Sequence, residues 1–190
     1  MALAIAISLM LLVIELAAAR VTGSLALLAD AGYLFATVSG MTVALAARWI
    51  MNRARSEGRA GVNRLVLVAA AANALLPLAI AAGIAISAVD RLSKPTEVAS
   101  GLVVVIAVLA IAMHLIAWQS MQDGAQAGPR SRAAYLEVAR DLLGIGVVYV
   151  SGLVALGWGS LEADALAAII VAALIVPRTI RLLRVTIAQH

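Results

Sequence analysis

The sequence predicts an all-α, polytopic membrane protein built as a bundle of six transmembrane helices. Three observations carry that prediction. Of 190 residues, 64% are hydrophobic and only 13% charged, with a mean hydropathy of +1.06, whereas soluble domains carry about 25% charged residues. With spans of about 20 residues, the 190 residues have room for six helices and short connections, and six apolar runs occur. The segments between them are short and polar, so residues 1–190 read as a single six-span domain with no separate soluble unit.

The first span covers residues 2–19 and is closed by Arg20 and the turn Thr22-Gly23-Ser24. It has no basic leader and no small-residue cleavage site, so it reads as a span and not as a removed signal peptide. The second runs over 25–50, followed by the basic stretch 52–61. The third covers 65–89 and ends at Asp90-Arg91, with Lys94-Pro95 marking the loop. The fourth covers 99–121, and the polar segment 122–131, with Gly124, Gly128 and Pro129, links it to the fifth at 133–156. Gly157-Trp158-Gly159 turns the chain into the sixth at 163–176, where Pro177 and Arg178 are expected to mark its exit. Small-residue stretches such as Ala69-Ala70-Ala71-Ala72 and Gly144-Ile145-Gly146 read as seams where helix backbones approach closely.

The basic residues sort by side. Ten arginines fall in the second–third connection, the fourth–fifth connection and the tail, against Arg20, Arg91 and Lys94 on the opposite side. The excess of positive charge in loops facing the cytoplasm places both termini there. The net charge of +4 therefore reflects topology and not a nucleic-acid partner. With no cysteine, disulfides, thiolate metal sites and cysteine nucleophiles are excluded. No nucleophile–base pair, cofactor motif or His-Glu-x-x-His signature appears, so no enzyme and no permanently bound cofactor is expected.

An ionisable side chain at the centre of a span costs at least ~2.5–3.5 kcal/mol and asks for a partner or a cavity. Glu15 in the first span, Asp30 in the second and Glu137, Arg140 and Asp141 in the fifth are such residues, with His114 in the fourth and Asn73 in the third as polar residues at comparable depth. Glu137 and Asp141 are spaced i, i+4, which puts two carboxylates on one helical face a turn apart. They need a cation, a proton, or a salt bridge from Arg140 at i+3 to Glu137. Asp30 lies close enough to the start of its helix to act as a cap or a structural charge. Glu15 is expected to hydrogen-bond a neighbouring helix. His114 is either an interhelical hydrogen bonder or a ligand.

The block Glu15-Leu16 … Thr22-Gly23-Ser24-Leu25-Ala26-Leu27-Leu28-Ala29-Asp30-Ala31-Gly32 resembles the signature joining the first two helices of the cation diffusion facilitators. Asn73-Ala74-Leu75-Leu76, Arg91-Leu92 … Pro95 … Val98, Ala133-Ala134-Tyr135-Leu136 and Gly157-Trp158 … Ala163-Asp164-Ala165-Leu166-Ala167 follow in the family's order. The resemblance implies efflux of a divalent cation, commonly Zn²⁺, in exchange for protons, by a homodimer. It also implies a transport site of two residues four apart on the second helix and two on the fifth. Four ligands from two helices suit a tetrahedral metal held near the midplane.

At those positions this chain carries Tyr33 and Thr37, then Glu137 and Asp141; only Asp141 matches the usual pattern. No histidine-rich loop is present, and the chain stops soon after the sixth span, so the cytoplasmic metal-binding domain of the family is expected to be absent. An all-oxygen set suits Mg²⁺, Mn²⁺ or Ca²⁺ better than Zn²⁺. The leading expectation is a cation/proton antiporter whose Glu137 and Asp141 hold Zn²⁺, Mn²⁺ or a similar ion, with Tyr33 and Thr37 lining the path and His114 or Asn73 supplying a further ligand. The alternative is a transport-inactive relative acting as a membrane partner or regulatory subunit, with Arg140 neutralising Glu137. Thirteen arginines to one lysine and abundant alanine point to a GC-rich bacterial genome, hence to an inner-membrane location.

Overall fold

Two glycines turn the chain where an L side chain is strained: Gly23, at φ 71°, between the first two helices, and Gly159, at φ 65°, between the last two. Around them the computed structural model, which describes residues 2–56, 62–125 and 129–188, folds into six helices. These are α1 (Ala2–Thr22), α2 (Leu25–Ser56), α3 (Val62–Ser93), α4 (Ser100–Ala125), α5 (Pro129–Trp158) and α6 (Ala163–Ala188). No strand occurs among the described residues. The fold class is the expected all-α membrane bundle.

The helices overrun the apolar runs that predicted them. Part of the basic stretch after the second span continues α2 to Ser56, while residues 57–61 and 126–128 lie outside the described residues. Pro129 opens α5 and does not sit in a loop, because the first helical turn needs no N–H from it. Pro177 does not end α6, which continues to Ala188, and Pro77 lies inside α3. A proline in a membrane-spanning helix loses one backbone hydrogen bond, and packing against neighbouring helices keeps the helix going.

Among the described residues, four segments are long and apolar enough to cross a membrane: Leu25–Arg53, Leu75–Ser93, Ser100–Gln119 and Val138–Trp158; the apolar part of α6, Ala163–Pro177, is shorter. The distribution of side chains fits that medium. Val13, Val21, Val105, Leu143 and Ile86 face outward, while Glu15, Asp30, Thr37, His114 and Asp141 are buried. Turning acids inward and valines outward places the ionisable groups away from lipid, where each would be most costly.

α2 is the central element, packed against α1, α3, α5 and α6; α4 packs on α5 and α1, and α3 on α6. Alanines make the close approaches: Ala26, Ala29, Ala107, Ala165 and Ala168 are fully buried. A Cβ on Gly152 of α5 would come within 2.8 Å of Val104 of α4. The expected seams hold only in part. Gly144 is covered, but Gly146 has open space around it, and Ala69 and Ala72 are exposed.

Candidate metal centre and helix lock

The α1–α2 turn is held by a residue far away in sequence. Asp164, in the first turn of α6, accepts hydrogen bonds from the backbone N–H of Leu25 at 2.7 Å and of Ala26 at 3.3 Å, and from the Ser24 hydroxyl at 2.5 Å. Ser24 Oγ in turn accepts from the N–H of Leu27 at 3.1 Å. These donors are the orphan N–H groups that begin any helix, so Asp164 and Ser24 together cap α2. Arg91, from the end of α3, donates to the Gly23 carbonyl at 2.6 Å and sits 3.3 Å from Asp164 Oδ2. Ala99 N–H completes the joint by donating to the Thr22 carbonyl at 3.0 Å. Asp164, which sequence reasoning met only as part of a resemblance, therefore fills the capping role considered for Asp30.

Asp30 lies beyond the first turn of α2 and is 1% exposed, its carboxyl pressed against Gly144 of α5. Glu15 of α1 is fully buried, and its carboxyl lies within hydrogen-bonding range of that of Asp30. The expected interhelical partner of Glu15 is thus a second acid. None of the four oxygens meets a donor among the described residues.

Asp30, Tyr33 and Thr37 are spaced i, i+3, i+7 and share one face of α2. Tyr33 is 2% and Thr37 1% exposed, and the Thr37 hydroxyl donates to the Tyr33 carbonyl at 3.1 Å. On α5, Asp141 and Gly144 are spaced i, i+3, and Gly144 touches Asp30, so the α5 face carrying Asp141 looks toward that α2 face. Asp141 is 3% exposed. Its Oδ2 lies 3.8 Å from Nε2 of His114, which is itself 2% exposed. The other ring nitrogen of His114 is 2.9 Å from the Ala110 carbonyl. A carbonyl only accepts, so Nδ1 carries a proton there and Nε2 is turned to the carboxylate.

The hydrogen bond His114 makes is therefore to its own helix and not the interhelical one weighed for it, while its other nitrogen is presented to an acid of α5. Asn73, the alternative further ligand, lies instead against Gly40 on the α2–α3 side. Glu137 shares the α5 face of Asp141 by its i, i+4 spacing. Its side chain lies outside the described residues, and with it the alternative pairing to Arg140. Among the described residues no three histidines, aspartates or glutamates gather in a metal-holding group.

A buried His–Asp contact and buried acids in a six-helix bundle now stand beside the comparison with known proteins. The sequence profile of the cation efflux transmembrane domain matches residues 1–189. The chain belongs to the cation efflux family. This cation efflux domain is 32% identical over 183 residues to the metal cation efflux system protein CzcD of Cupriavidus metallidurans, covering 96% of the chain and 58% of that relative. It is 33% identical over 169 residues to a cadmium, cobalt and zinc/H(+)-K(+) antiporter of Bacillus subtilis, covering 86% of the chain and 54% of the relative. It is 30% identical over 175 residues to the zinc transporter ZitB of Escherichia coli, with 91% and 56% covered. The domain spans a little over half the length of these curated relatives.

Proposed function

We propose that this cation efflux domain moves a divalent cation out of the cell in exchange for protons, with Glu137 and Asp141 of α5 holding the ion and Tyr33 and Thr37 of α2 lining its path. The observation that supports this most is the pair Asp141 and His114, buried in the bundle with Oδ2 and Nε2 3.8 Å apart. That separation is too long for a hydrogen bond, and a carboxylate and an imidazole lone pair repel unless a cation or a proton lies between them.

His114 changes the chemistry expected of the site. With Tyr33, Thr37, Glu137 and Asp141 alone, the donors are all oxygen. A neutral imidazole nitrogen beside Asp141 adds the ligand type that suits Zn²⁺ and its neighbours. The relatives point the same way: one is a cadmium, cobalt and zinc antiporter and another a zinc transporter. Zn²⁺, Co²⁺ or Mn²⁺ is therefore the cargo class, bound in transit and not as a resident cofactor. The domain lies in the inner membrane with both termini cytoplasmic and works as a homodimer.

The test is flux. Protein reconstituted in vesicles is expected to take up Zn²⁺ or Mn²⁺ under a proton gradient, and Asp141→Ala and Glu137→Ala to abolish uptake. No metal-dependent flux in the parent, or flux unchanged in both variants, contradicts the reading.

A further inference from the structure

Among the described residues, two buried acids remain outside both the metal path and the helix lock: Glu15 on α1 and Asp30 on α2. We propose that their facing carboxyls form a one-proton site, a carboxyl–carboxylate pair that carries the exchanged proton apart from the residues that hold the metal. Four facts support it. Glu15 is fully buried and Asp30 is 1% exposed. All four carboxyl oxygens are without a donor among the described residues. The two carboxyls are within hydrogen-bonding range of each other. Gly144 of α5 supplies the space for Asp30, since a Cβ there would run into its Oδ1.

Among the described residues, no other neutralising group meets the pair. Asp141 of α5 is the acid within electrostatic reach of Glu15, and it adds negative charge. His114 of α4 is directed at Asp141 and the Ala110 carbonyl. Arg140 of α5 is half-buried and engaged in an interaction of its own. At the start of α2, Asp164 of α6 and Arg91 of α3 are committed to the helix lock; Arg20 on α1 is exposed.

Two ionised carboxylates in contact in an apolar bundle are mutually repelling and poorly solvated, whereas one proton between them makes a charge-assisted hydrogen bond and leaves a single negative charge. A divalent ion is the weaker occupant, because no third acid or histidine joins the pair in a metal-holding group among the described residues. The step balances simply: a proton from water adds to one carboxylate, the second carboxylate accepts its hydrogen bond, and release reverses both.

The role in exchange rests on the transport reading; the proton itself does not, and infrared spectroscopy reads it directly. Purified protein at neutral pH is expected to show the C=O stretch of a protonated carboxyl. Glu15→Gln and Asp30→Asn should each remove that band, because in either variant an amide N–H replaces the shared proton. In the parent, ¹³C labelling of glutamate and of aspartate carboxyls should each shift it. A band that survives both substitutions, or that neither label moves, overturns the proposal. So does a parent without the band whose carboxylate stretches shift with Na⁺ or K⁺, which makes the occupant an alkali ion. If either variant fails to fold, the other and the labelling decide. In vesicles, Glu15→Gln is expected to pass metal without response to a pH gradient. Band loss with metal flux still driven by the gradient contradicts the exchange role, and absence of flux in the parent overturns only the transport reading.

Discussion

Nε2 of His114 on α4 faces Oδ2 of Asp141 on α5 across 3.8 Å, both side chains buried in the bundle. Nδ1 of the same ring is tied to the Ala110 carbonyl, so the ring is oriented before any ion arrives. Such an outer hydrogen bond fixes the tautomer and direction of a metal-binding imidazole, and losing comparable support costs roughly 10–100-fold in metal affinity.

His114→Ala is accordingly expected to weaken Zn²⁺ more than Mn²⁺, by about tenfold or more for Zn²⁺, since Zn²⁺ draws more from a nitrogen ligand. Competition for a fluorescent zinc chelator reads the difference. Equal loss for both ions, or none, places His114 outside the ligand set.

Zn²⁺ affinity is also expected to rise with pH. The nitrogen and carboxylates bind metal only when deprotonated, so binding releases protons and acid opposes it. Isothermal titration in buffers of different ionisation enthalpy measures the protons released. Zinc binding without proton release contradicts this.

Asp164 joins three helix ends. Asp164→Ala leaves the Leu25 and Ala26 N–H groups and the Ser24 hydroxyl without that acceptor, and leaves Arg91 with the Gly23 carbonyl but no carboxylate, an expected loss of about 2–4 kcal/mol. Ser24→Ala removes one of those bonds and should cost about 1 kcal/mol. Unfolding by denaturing detergent gives both values. Their double variant should fall short of additivity, because the two side chains share one bond.

Gly144 and Gly146 differ by two positions and should behave oppositely. A Cβ at Gly144 meets the Asp30 carboxyl, while at Gly146 nothing lies within 4 Å. Gly144→Ala is expected to destabilise by about 1–3 kcal/mol. Gly146→Ala should be neutral or stabilising by up to about 1 kcal/mol through helix propensity. Equal effects on unfolding contradict the packing described.

The helices and the buried acids were legible in the sequence because both are local signals: length of an apolar run, and a carboxylate within it. The i, i+4 spacing likewise placed Glu137 and Asp141 on one face of α5. What pairs across helices was not legible. Asp30 read as a cap because it lies near the start of α2, but the actual cap, Asp164, comes from α6, and no local pattern encodes that contact. His114 was ambiguous for the same reason, since its meeting with Asp141 depends on the rotation of α4 against α5. Pro177 read as a helix end because proline breaks isolated helices; inside the bundle, packing carries α6 past it.

The transport claim is tested most directly by zinc uptake into vesicles holding the purified protein, with an imposed proton gradient and Asp141→Asn as the paired control. The account predicts gradient-dependent Zn²⁺ movement in the parent and its loss in Asp141→Asn, which keeps the shape of the side chain and removes its charge. Equal uptake by both proteins, or none by the parent, contradicts it.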